Sequence, residues 1–268
     1  MSTPNSAQVL LLCGGRGIRP RNCLDYIPKG MVKIGNRPLI WHVMKGFALF
    51  GFSRFVLALG ENGNMIRDYF IDYTRYTDDF KMTLGLPQLE VLTRSQEASL
   101  EITFAETGAS AGTGARVSRC QKYIQGDQFL VAYSDCLSNV NIMRLWEYHT
   151  SRGKIATITG VRPPFRYGEF VVEGERVTLY HEKSLLVGSH GWINGGFMVF
   201  NRGIFGYLTS FNECTLEREV FGQLVNDQQL AIYQHPGYWQ YIDTDREIEE
   251  VRHHCETNRQ PWLEESET

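Results

Sequence analysis

Short apolar runs, each bounded by glycine or polar residues, recur along this chain and predict buried β-strands. They lie near 8–12, 54–59, 100–106, 127–132, 154–160, 168–180, 192–200, 229–235 and 238–243. Between these runs, apolar residues spaced along one helix face predict helices at 38–50, 63–72, 112–123, 140–152, 215–225 and 244–256. Pro38 is expected to open the first helix.

The order of these elements predicts an α/β fold. Early alternation of strand and helix is typical of a mostly parallel sheet covered on both faces, and the closely spaced strands after 154 indicate antiparallel additions. We therefore predict one Rossmann-like domain over 1–268, with a first half over about 1–153 and a smaller, β-rich lobe over about 154–268. Residues 73–99, with a hairpin within 81–92, form a polar insertion that we interpret as a contact with a partner subunit.

The composition restricts the partners of the chain. A net charge of -3 and a pI near 6.2 give no electrostatic case for binding nucleic acid or an anionic membrane. No apolar run approaches the roughly 20 residues of a membrane span, and the N-terminus lacks the pattern of a signal peptide, so we expect a cytoplasmic location. The 6 cysteines include no C-x-x-C pair, which argues against a zinc site or a disulfide framework.

A glycine-rich, basic loop follows the first predicted strand. Gly14, Gly15 and Gly17 allow backbone N–H groups to approach an anion, and basic side chains supply the charge that a triphosphate needs. These basic residues are Arg16, Arg19, Arg21 and Lys29. The loop has neither the Gly-Lys-Ser/Thr ending of a Walker A motif nor the G-x-G-x-x-G spacing of a dinucleotide fold. The alternative interpretation is a tight turn with arginines on its surface.

Two carboxylates stand at the ends of predicted strands. Asp135 follows the apolar strand FLVAY, and Asp243 ends the aromatic strand GYWQYID. Open α/β sheets bind ligands at the carboxyl ends of their strands, and Mg²⁺ prefers hard oxygen ligands such as carboxylates and phosphates. The alternative is helix capping, by Asp135 on a helix beginning near Asn139 and by Asp243 on 244–256.

Five further blocks of sequence follow the loop in a fixed order. They are TGASAGTGAR at 107–116, FLVAYSDC at 129–136, EK at 182–183, INGGFMVFN at 193–201 and HPGYWQYIDT at 235–244. With the loop, these blocks resemble the sugar-1-phosphate nucleotidyltransferase family, and within it most closely the glucose-1-phosphate cytidylyltransferases. The resemblance covers nearly the whole chain, and the order of the blocks is more specific than any one of them.

The resemblance implies an activity. The chain is expected to transfer a nucleotidyl group from a nucleoside triphosphate to a sugar-1-phosphate such as glucose-1-phosphate, with Mg²⁺ as cofactor, and to form a homo-oligomer. CTP is the favoured triphosphate because block 107–116 matches the cytidylyltransferases and lacks the Q-P-x-G-L-A of thymidylyl- and uridylyltransferases. The products would be a CDP-sugar and pyrophosphate. The first half of the chain would then bind the nucleotide and the second half the sugar.

The family motifs also assign roles to particular positions, each carried over as an implication of the resemblance. The catalytic residues are expected to be Arg19, Lys29, Asp135 and Lys183. The nucleotide is expected to contact Leu12, Gly14, Gly15, Arg19, Lys29, Thr107, Gly114 and Arg116. The sugar phosphate is expected to contact Glu182, Lys183, Asn194 and Gly195. Asp135 and Asp243 are the expected Mg²⁺ ligands.

Some positions depart from the family pattern, and they leave alternatives open. The departures are Ile18 for threonine, Gly30 for proline, Ser134 and Cys136 for glycines, and Ser184 for proline. These departures leave the charged positions unchanged and alter positions expected in the walls of the substrate site. This pattern favours a related enzyme that uses another base or an unusual sugar-1-phosphate in specialised biosynthesis. A non-catalytic, sugar-nucleotide-binding relative is a second alternative. An NAD-dependent oxidoreductase is disfavoured because the glycine spacing is wrong.

Overall fold

The computed structural model describes residues 6–15, 17, 26–85, 89–93, 99–162, 169–173, 176–181 and 191–264. The elements up to the middle of the chain are β1 (Gln8–Leu12), β2 (Lys33–Ile34), β3 (Arg37–Pro38), α1 (Leu39–Leu49), β4 (Arg54–Leu59), α2 (Gly63–Ile71), α3 (Tyr73–Thr77), β5 (Phe80–Met82), β6 (Leu89–Val91), β7 (Glu101–Glu106), α4 (Thr113–Arg119), β8 (Gln128–Tyr133), β9 (Cys136–Ser138) and α5 (Ile142–Arg152). The later elements are β10 (Ala156–Val161), β11 (Glu169–Glu173), β12 (Arg176–His181), β13 (Ile193–Asn201), α6 (Phe221–Asn226), β14 (Leu230–Gln234), β15 (Trp239–Tyr241) and α7 (Asp245–Glu256).

Seven strands form the central sheet in the order β14-β10-β13-β8-β1-β4-β7. Every neighbouring pair is parallel except the two pairs made by β13, which runs antiparallel between β8 and β10. The predicted mixed, mostly parallel sheet is therefore confirmed.

The core consists of two apolar layers, one on each face of the sheet. Side chains of β1 alternate between them, with Val9 and Leu11 in one layer and Leu10 and Leu12 in the other. Helices α1, α5 and α7 cover the first face, and α4 and α6 cover the second. A strand buried on both faces needs an unbroken apolar run, and for this reason β1 could be predicted from the sequence.

The structure refines several predicted boundaries. Helix α1 begins at Leu39, with Pro38 as its extended N-cap residue. The run predicted as one strand at 168–180 is the antiparallel hairpin of β11 and β12, and the hairpin predicted within 81–92 is formed by β5 and β6. The helix predicted at 112–123 ends at Arg119 and continues as a 3-10 turn. Sequence patterning missed β2, β3 and β9 because strands of two or three residues are too short to show a period.

The strand order locates the crevice of the sheet. From β1 the chain continues to β4 and β7 on one side, and it returns later as β8 on the other side of β1. At such a switch point the loops after two adjacent parallel strands leave in opposite directions and open a crevice. Here those loops begin after Leu12 and Tyr133, which are register partners at the carboxyl ends of β1 and β8.

Within the described residues, no helix is both long and apolar enough to cross a membrane.

His42 on α1 generates a prediction about acid stability. Its Nε2 contacts the Ile34 carbonyl at 3.0 Å, and burial lowers the pKa of the imidazole to about 4. Since the pKa of histidine in an unfolded chain is about 6.5, the neutral ring stabilises the fold fully above that pH and loses this contribution as the pH falls toward 4. Between pH 7.5 and 5 we expect urea unfolding to show a loss about 2 kcal/mol greater for the wild type than for His42→Gln. Parallel pH profiles for the two proteins would contradict this assignment.

Candidate active site

One lysine ammonium lies between two carboxylates at the crevice. Lys29 Nζ is 3.2 Å from Asp135 Oδ2 and 2.7 Å from Asp243 Oδ1. It also donates to the hydroxyl of Tyr241 at 2.7 Å and lies over the ring of that residue. Three side chains predicted from separate motifs are thus brought into a single cluster with one aromatic residue.

Backbone pairing explains why these distant residues meet. Asp135 follows β8 in the crevice, and the chain then forms β9, which pairs antiparallel with β15. In this register Tyr241 is opposite Cys136, and the N–H of Ile242 donates to the Asp135 carbonyl at 2.9 Å. The ladder therefore carries Asp243 to the side of Asp135, although the two residues are far apart in sequence.

Helix capping does not account for the two aspartates. The side chain that caps α5 belongs to Asn141, which accepts from Arg144 N. The side chain that caps α7 belongs to Thr244, in a reciprocal capping box with Glu247. The alternatives considered for Asp135 and Asp243 are therefore not what is observed, and both carboxylates are directed to the lysine instead.

Burial and the charges of neighbouring groups both shift the pKa values of Lys29 and Asp135. Burial disfavours the Lys29 ammonium, but Asp135, Asp243 and Tyr241 outweigh this effect and raise the pKa of Lys29. Burial raises the pKa of Asp135, and Lys29 opposes that rise. With two carboxylates for one ammonium, the cluster has an excess of negative charge that suits an additional cation.

A cavity of about 390 Å³ adjoins this cluster. Its walls come from the loop after β1, the loop after β8, the N-terminus of α4 and β15. They are made by Leu12, Cys13, Gly14, Gly15, Gly17, Pro28, Lys29, Thr113, Arg116, Tyr133, Ser134, Asp135 and Tyr241.

A buried arginine forms one wall of this cavity. Arg116 is 3% exposed and donates to three uncharged acceptors, Leu59 O, Thr107 Oγ1 and Ala109 O. Burial lowers the pKa of its guanidinium. The guanidinium lies against the backbone of Gly14, where an added Cβ would overlap the guanidinium carbon. A side chain at position 14 would therefore have to displace the guanidinium from its three acceptors.

The sequence model of the nucleotidyl transferase family matches residues 8–256, which is most of the chain. The chain belongs to the nucleotidyl transferase family. The family resemblance inferred from the motifs is thereby confirmed.

Individual relatives extend this result. The transferase is 35% identical over 255 residues to a probable glucose-1-phosphate cytidylyltransferase of Bacillus subtilis, an alignment that covers 95% of this chain and 98% of the relative. It is 31% identical to a glucose-1-phosphate cytidylyltransferase of Salmonella typhi, with the same coverage of both chains. Its fold is similar to that of HddC from Yersinia pseudotuberculosis, with a TM-score of 0.65, 19% identity, and coverage of 93% of this chain and 99% of the other.

Two residues predicted to contact the nucleotide lie near the cavity of the transferase without lining it. Thr107 is 1% exposed, and its hydroxyl donates to the Leu59 carbonyl at 2.6 Å and accepts from Arg116. Gly114 packs against Cys214, whose sulfur would be 2.7 Å from an added Cβ. These two positions support the arginine and the helix that carries it, whereas Leu12, Gly14 and Gly15 lie in the cavity wall.

Of the residues predicted on the sugar side, Asn194 meets the cavity through Tyr133. Asn194 Nδ2 is 3.4 Å from the Tyr133 hydroxyl, and its Oδ1 accepts from Gly196 N at 2.9 Å. The Gly195 carbonyl accepts from the indole of Trp239 at 2.8 Å. The other predicted site residues, Arg19, Glu182 and Lys183, lie outside the described residues.

Two departures from the family pattern lie next to each other in the transferase. A Cβ at Gly30 would be 3.3 Å from Cβ of Ile40 and 3.4 Å from both Cβ and Oγ of Ser134. A methyl group would therefore just fit at position 30, and a larger side chain would have to displace one of these neighbours. Another departure from the family pattern, Cys136, is buried, and its thiol is 3.9 Å from Asp135 Oδ1.

Tyr133 and Tyr241 were missed as site residues. Alternation along the aromatic strand favoured core packing for at least two of Tyr238, Trp239 and Tyr241, and all three do pack against the core. The hydroxyl of Tyr241 nevertheless reaches Lys29, which requires knowledge of the pairing between β9 and β15. Tyr133 is the last residue of β8, two residues before Asp135, and its place at the carboxyl end of a parallel strand is a signal that could have identified it.

The close packing of Gly14 gives a prediction. Gly14→Ala should destabilise the transferase by about 1–3 kcal/mol and displace Arg116, because the new methyl group occupies the space of the guanidinium. Chemical denaturation would measure the first effect, and calorimetric titration with CTP the second. The matched control is Gly46→Ala within α1, where no atom lies within 4 Å of an added Cβ and a gain of up to about 1 kcal/mol is expected. Equal stability of the two variants would contradict the close contact.

Proposed function

We propose that this chain transfers the cytidylyl group of CTP to a sugar-1-phosphate such as glucose-1-phosphate. The observation that carries the proposal is the contact of Lys29 with both Asp135 and Asp243 beside a cavity walled by the glycine-rich loop. The relatives named as glucose-1-phosphate cytidylyltransferases support the choice of both substrates, because their alignments include nearly the whole of both chains. The products are then a CDP-sugar and pyrophosphate.

The proposed reaction is an in-line displacement at phosphorus. A phosphate oxygen of the sugar-1-phosphate forms a bond to the α-phosphorus of CTP, and the bond from that phosphorus to the bridging oxygen of the β-phosphate breaks. Pyrophosphate leaves with the electron pair. The nucleophile is already an anion, so no strong general base is required, and catalysis consists of aligning two repelling anions and stabilising the charge that develops between them.

The basic residues have separate tasks in this proposal. Lys29, at the cavity wall, and Arg19, in the same loop of the sequence, neutralise the triphosphate. Lys183 binds the phosphate of the sugar-1-phosphate, and the neighbouring Glu182 accepts hydrogen bonds from sugar hydroxyls. Of these four residues, the described geometry supports the role of Lys29, and the family motifs support the other three.

Asp135 and Asp243 are the residues proposed to hold Mg²⁺. Among the described residues there is no group of three or more side chains suited to a metal ion. Two carboxylates around one cation nevertheless fit Mg²⁺, which commonly takes one or two carboxylates and completes its shell with phosphate oxygens and water. The ammonium of Lys29, in contact with both carboxylates, supports this assignment because it places a positive charge where a metal ion would be attracted. When bound, the metal would supply electrostatic stabilisation of the phosphates.

The proposed preference for CTP rests on the relatives and on Arg116. The three hydrogen bonds of its guanidinium use both N–H groups of Nη1 and one of Nη2. Its Nε–H and one Nη2–H take no part in them and are suited to a carbonyl oxygen of a base or to a phosphate. A family member that uses another base or sugar is the second candidate, and the exchange at Gly30 and Ser134 beside the cavity favours it.

Assembly and location complete the proposal. Four exposed large apolar side chains lie on the insertion that was interpreted as a subunit contact, namely Tyr76, Met82, Leu84 and Leu92, and they support a homo-oligomer. A cytoplasmic location is supported by the five cysteines in the described part of the chain, all of which are free thiols and four of which are buried.

A substrate panel tests the proposed reaction. The protein is incubated with Mg²⁺, each of ATP, CTP, GTP, UTP and dTTP, and a set of sugar-1-phosphates that includes glucose-1-phosphate, and pyrophosphate and sugar nucleotide are measured. We expect the highest kcat/KM for CTP with a sugar-1-phosphate. A preference for another triphosphate would favour the second candidate, and nucleotide binding without pyrophosphate release from any pair would favour a non-catalytic relative.

Removal of the metal or of either carboxylate should suppress turnover. We expect excess EDTA to abolish pyrophosphate release, and Asp135→Asn or Asp243→Asn to lower kcat/KM on the order of a hundredfold or more, because each change removes a charge that stabilises the transferred phosphate through the metal. Asp72→Asn, at a partly exposed aspartate that pairs with Arg75, is the matched control and should retain wild-type kinetics. Wild-type turnover in EDTA, or in either site variant, would overturn the metal assignment.

A further inference from the structure

Glu217 accepts hydrogen bonds from two side chains in the cavity wall. Its Oε1 accepts from the hydroxyl of Tyr133, and its Oε2 accepts from Thr113 Oγ1 at 2.7 Å. Thr113 and Tyr133 both line the cavity, the first at the start of α4 and the second at the end of β8. One carboxylate from outside the sheet is therefore joined to two separate parts of the site.

The bond to Tyr133 has a consequence for Asn194. A phenol has one hydrogen to donate, and here it goes to Glu217, so the phenolic oxygen is left to accept from Asn194 Nδ2 at 3.4 Å. The other end of the amide accepts from the N–H of Gly196 at 2.9 Å. Both contacts fix the same orientation of the amide, and the second hydrogen of Nδ2 remains to donate to a sugar hydroxyl.

The hydrogen bond from Thr113 to Glu217 lies on the nucleotide side of the proposed site. The Thr113 hydroxyl donates to Glu217 and accepts from Leu216 N at 2.9 Å, which fixes its single hydrogen. Thr113 begins the helix that carries Arg116, three residues later and in the same cavity wall. The nucleotide side of the proposed site is thus tied to Glu217 through one short contact.

Glu217 is not needed to close its own turn. The π-helical turn Leu216–Val220 is capped by Thr215, whose side chain accepts from Arg218 N. The carboxylate that returns to the cap is that of Glu219, which accepts from Thr215 N at 2.9 Å and from Thr215 Oγ1 at 2.7 Å. The two glutamates of this turn therefore have different roles. Glu219 caps the turn itself, and Glu217 binds side chains of the cavity wall.

We propose that Glu217 is a positioning residue that orients Thr113 on the nucleotide side and, through Tyr133, Asn194 on the sugar side. This inference rests on the proposed function, which assigns Asn194 to the sugar and α4 to the nucleotide. Glu217 sets hydrogen-bond direction as well as position, because an ionised carboxylate can only accept. It makes Asn194 a donor toward the sugar, which favours a sugar hydroxyl that accepts at this point.

The experiment separates the two branches by substitution. Tyr133→Phe should raise the KM for the sugar-1-phosphate and leave that for CTP unchanged, and Thr113→Val should do the reverse. Glu217→Gln, which keeps one accepting oxygen and replaces the other by a donor, should raise both values. Each lost hydrogen bond corresponds to about a 2-fold to 12-fold rise in KM. Glu219→Gln is the matched control on the same turn and should leave both values at those of the wild type.

Calorimetric binding of CTP and of the sugar-1-phosphate to each variant accompanies the kinetics. A role confined to stability would lower the melting temperature of Glu217→Gln while leaving its binding and KM values unchanged, and that result would overturn the inference. Effects of Glu217→Gln on one substrate alone would also overturn it. Absence of pyrophosphate release by the wild type would count against the proposed function only, because binding of the two ligands to the variants would still decide whether Glu217 orients both sides.

Discussion

The contact of the Lys29 ammonium with Asp135 and Asp243 unites three distant parts of the chain, and the site depends on it. Each partner is held by a different element: Lys29 by the 3-10 turn Lys29–Met31 after the loop, Asp135 by the end of β8, and Asp243 by the chain between β15 and α7. Removing one member of such a partly buried group would leave the others with uncompensated charge, which costs far more than the group contributes as a whole. The interaction therefore specifies how these segments are arranged more than it adds to their stability.

The sheet supplies the precision that the charged cluster needs. Two parallel strands with register partners at Leu12 and Tyr133 direct their loops into one crevice, and the short ladder between β9 and β15 aligns the second aspartate with the first. Rigid strands buried on both faces hold these ends in place, whereas the loops between them carry the chemistry. This division explains how the charged positions of the family pattern persist here while neighbouring wall positions differ.

Sequence reasoning reached the parts of the molecule that have a period or a motif. The apolar run of β1 and the aspartate after β8 could be identified because burial on both faces and position at a strand end leave a local pattern. The contacts of Tyr241 and Glu217 could not, since they depend on which strand pairs with β9 and on how the turn at 216–220 folds back over α4. Neither pairing leaves a signal in a single sequence. The two-residue strands and the 3-10 continuation of α4 escaped because elements of two or three residues are too short to show a period.

The packing of Gly30 against Ser134 constrains how this cavity can vary. A Cβ at position 30 would lie 3.3 Å from Cβ of Ile40 and 3.4 Å from Cβ and Oγ of Ser134, so a side chain larger than a methyl group fits there only if one of these neighbours moves. The residues that position 30 can accept therefore depend on the side chain at position 134. For this reason the two departures from the family pattern are coupled substitutions, and their effects on the cavity wall are not expected to add.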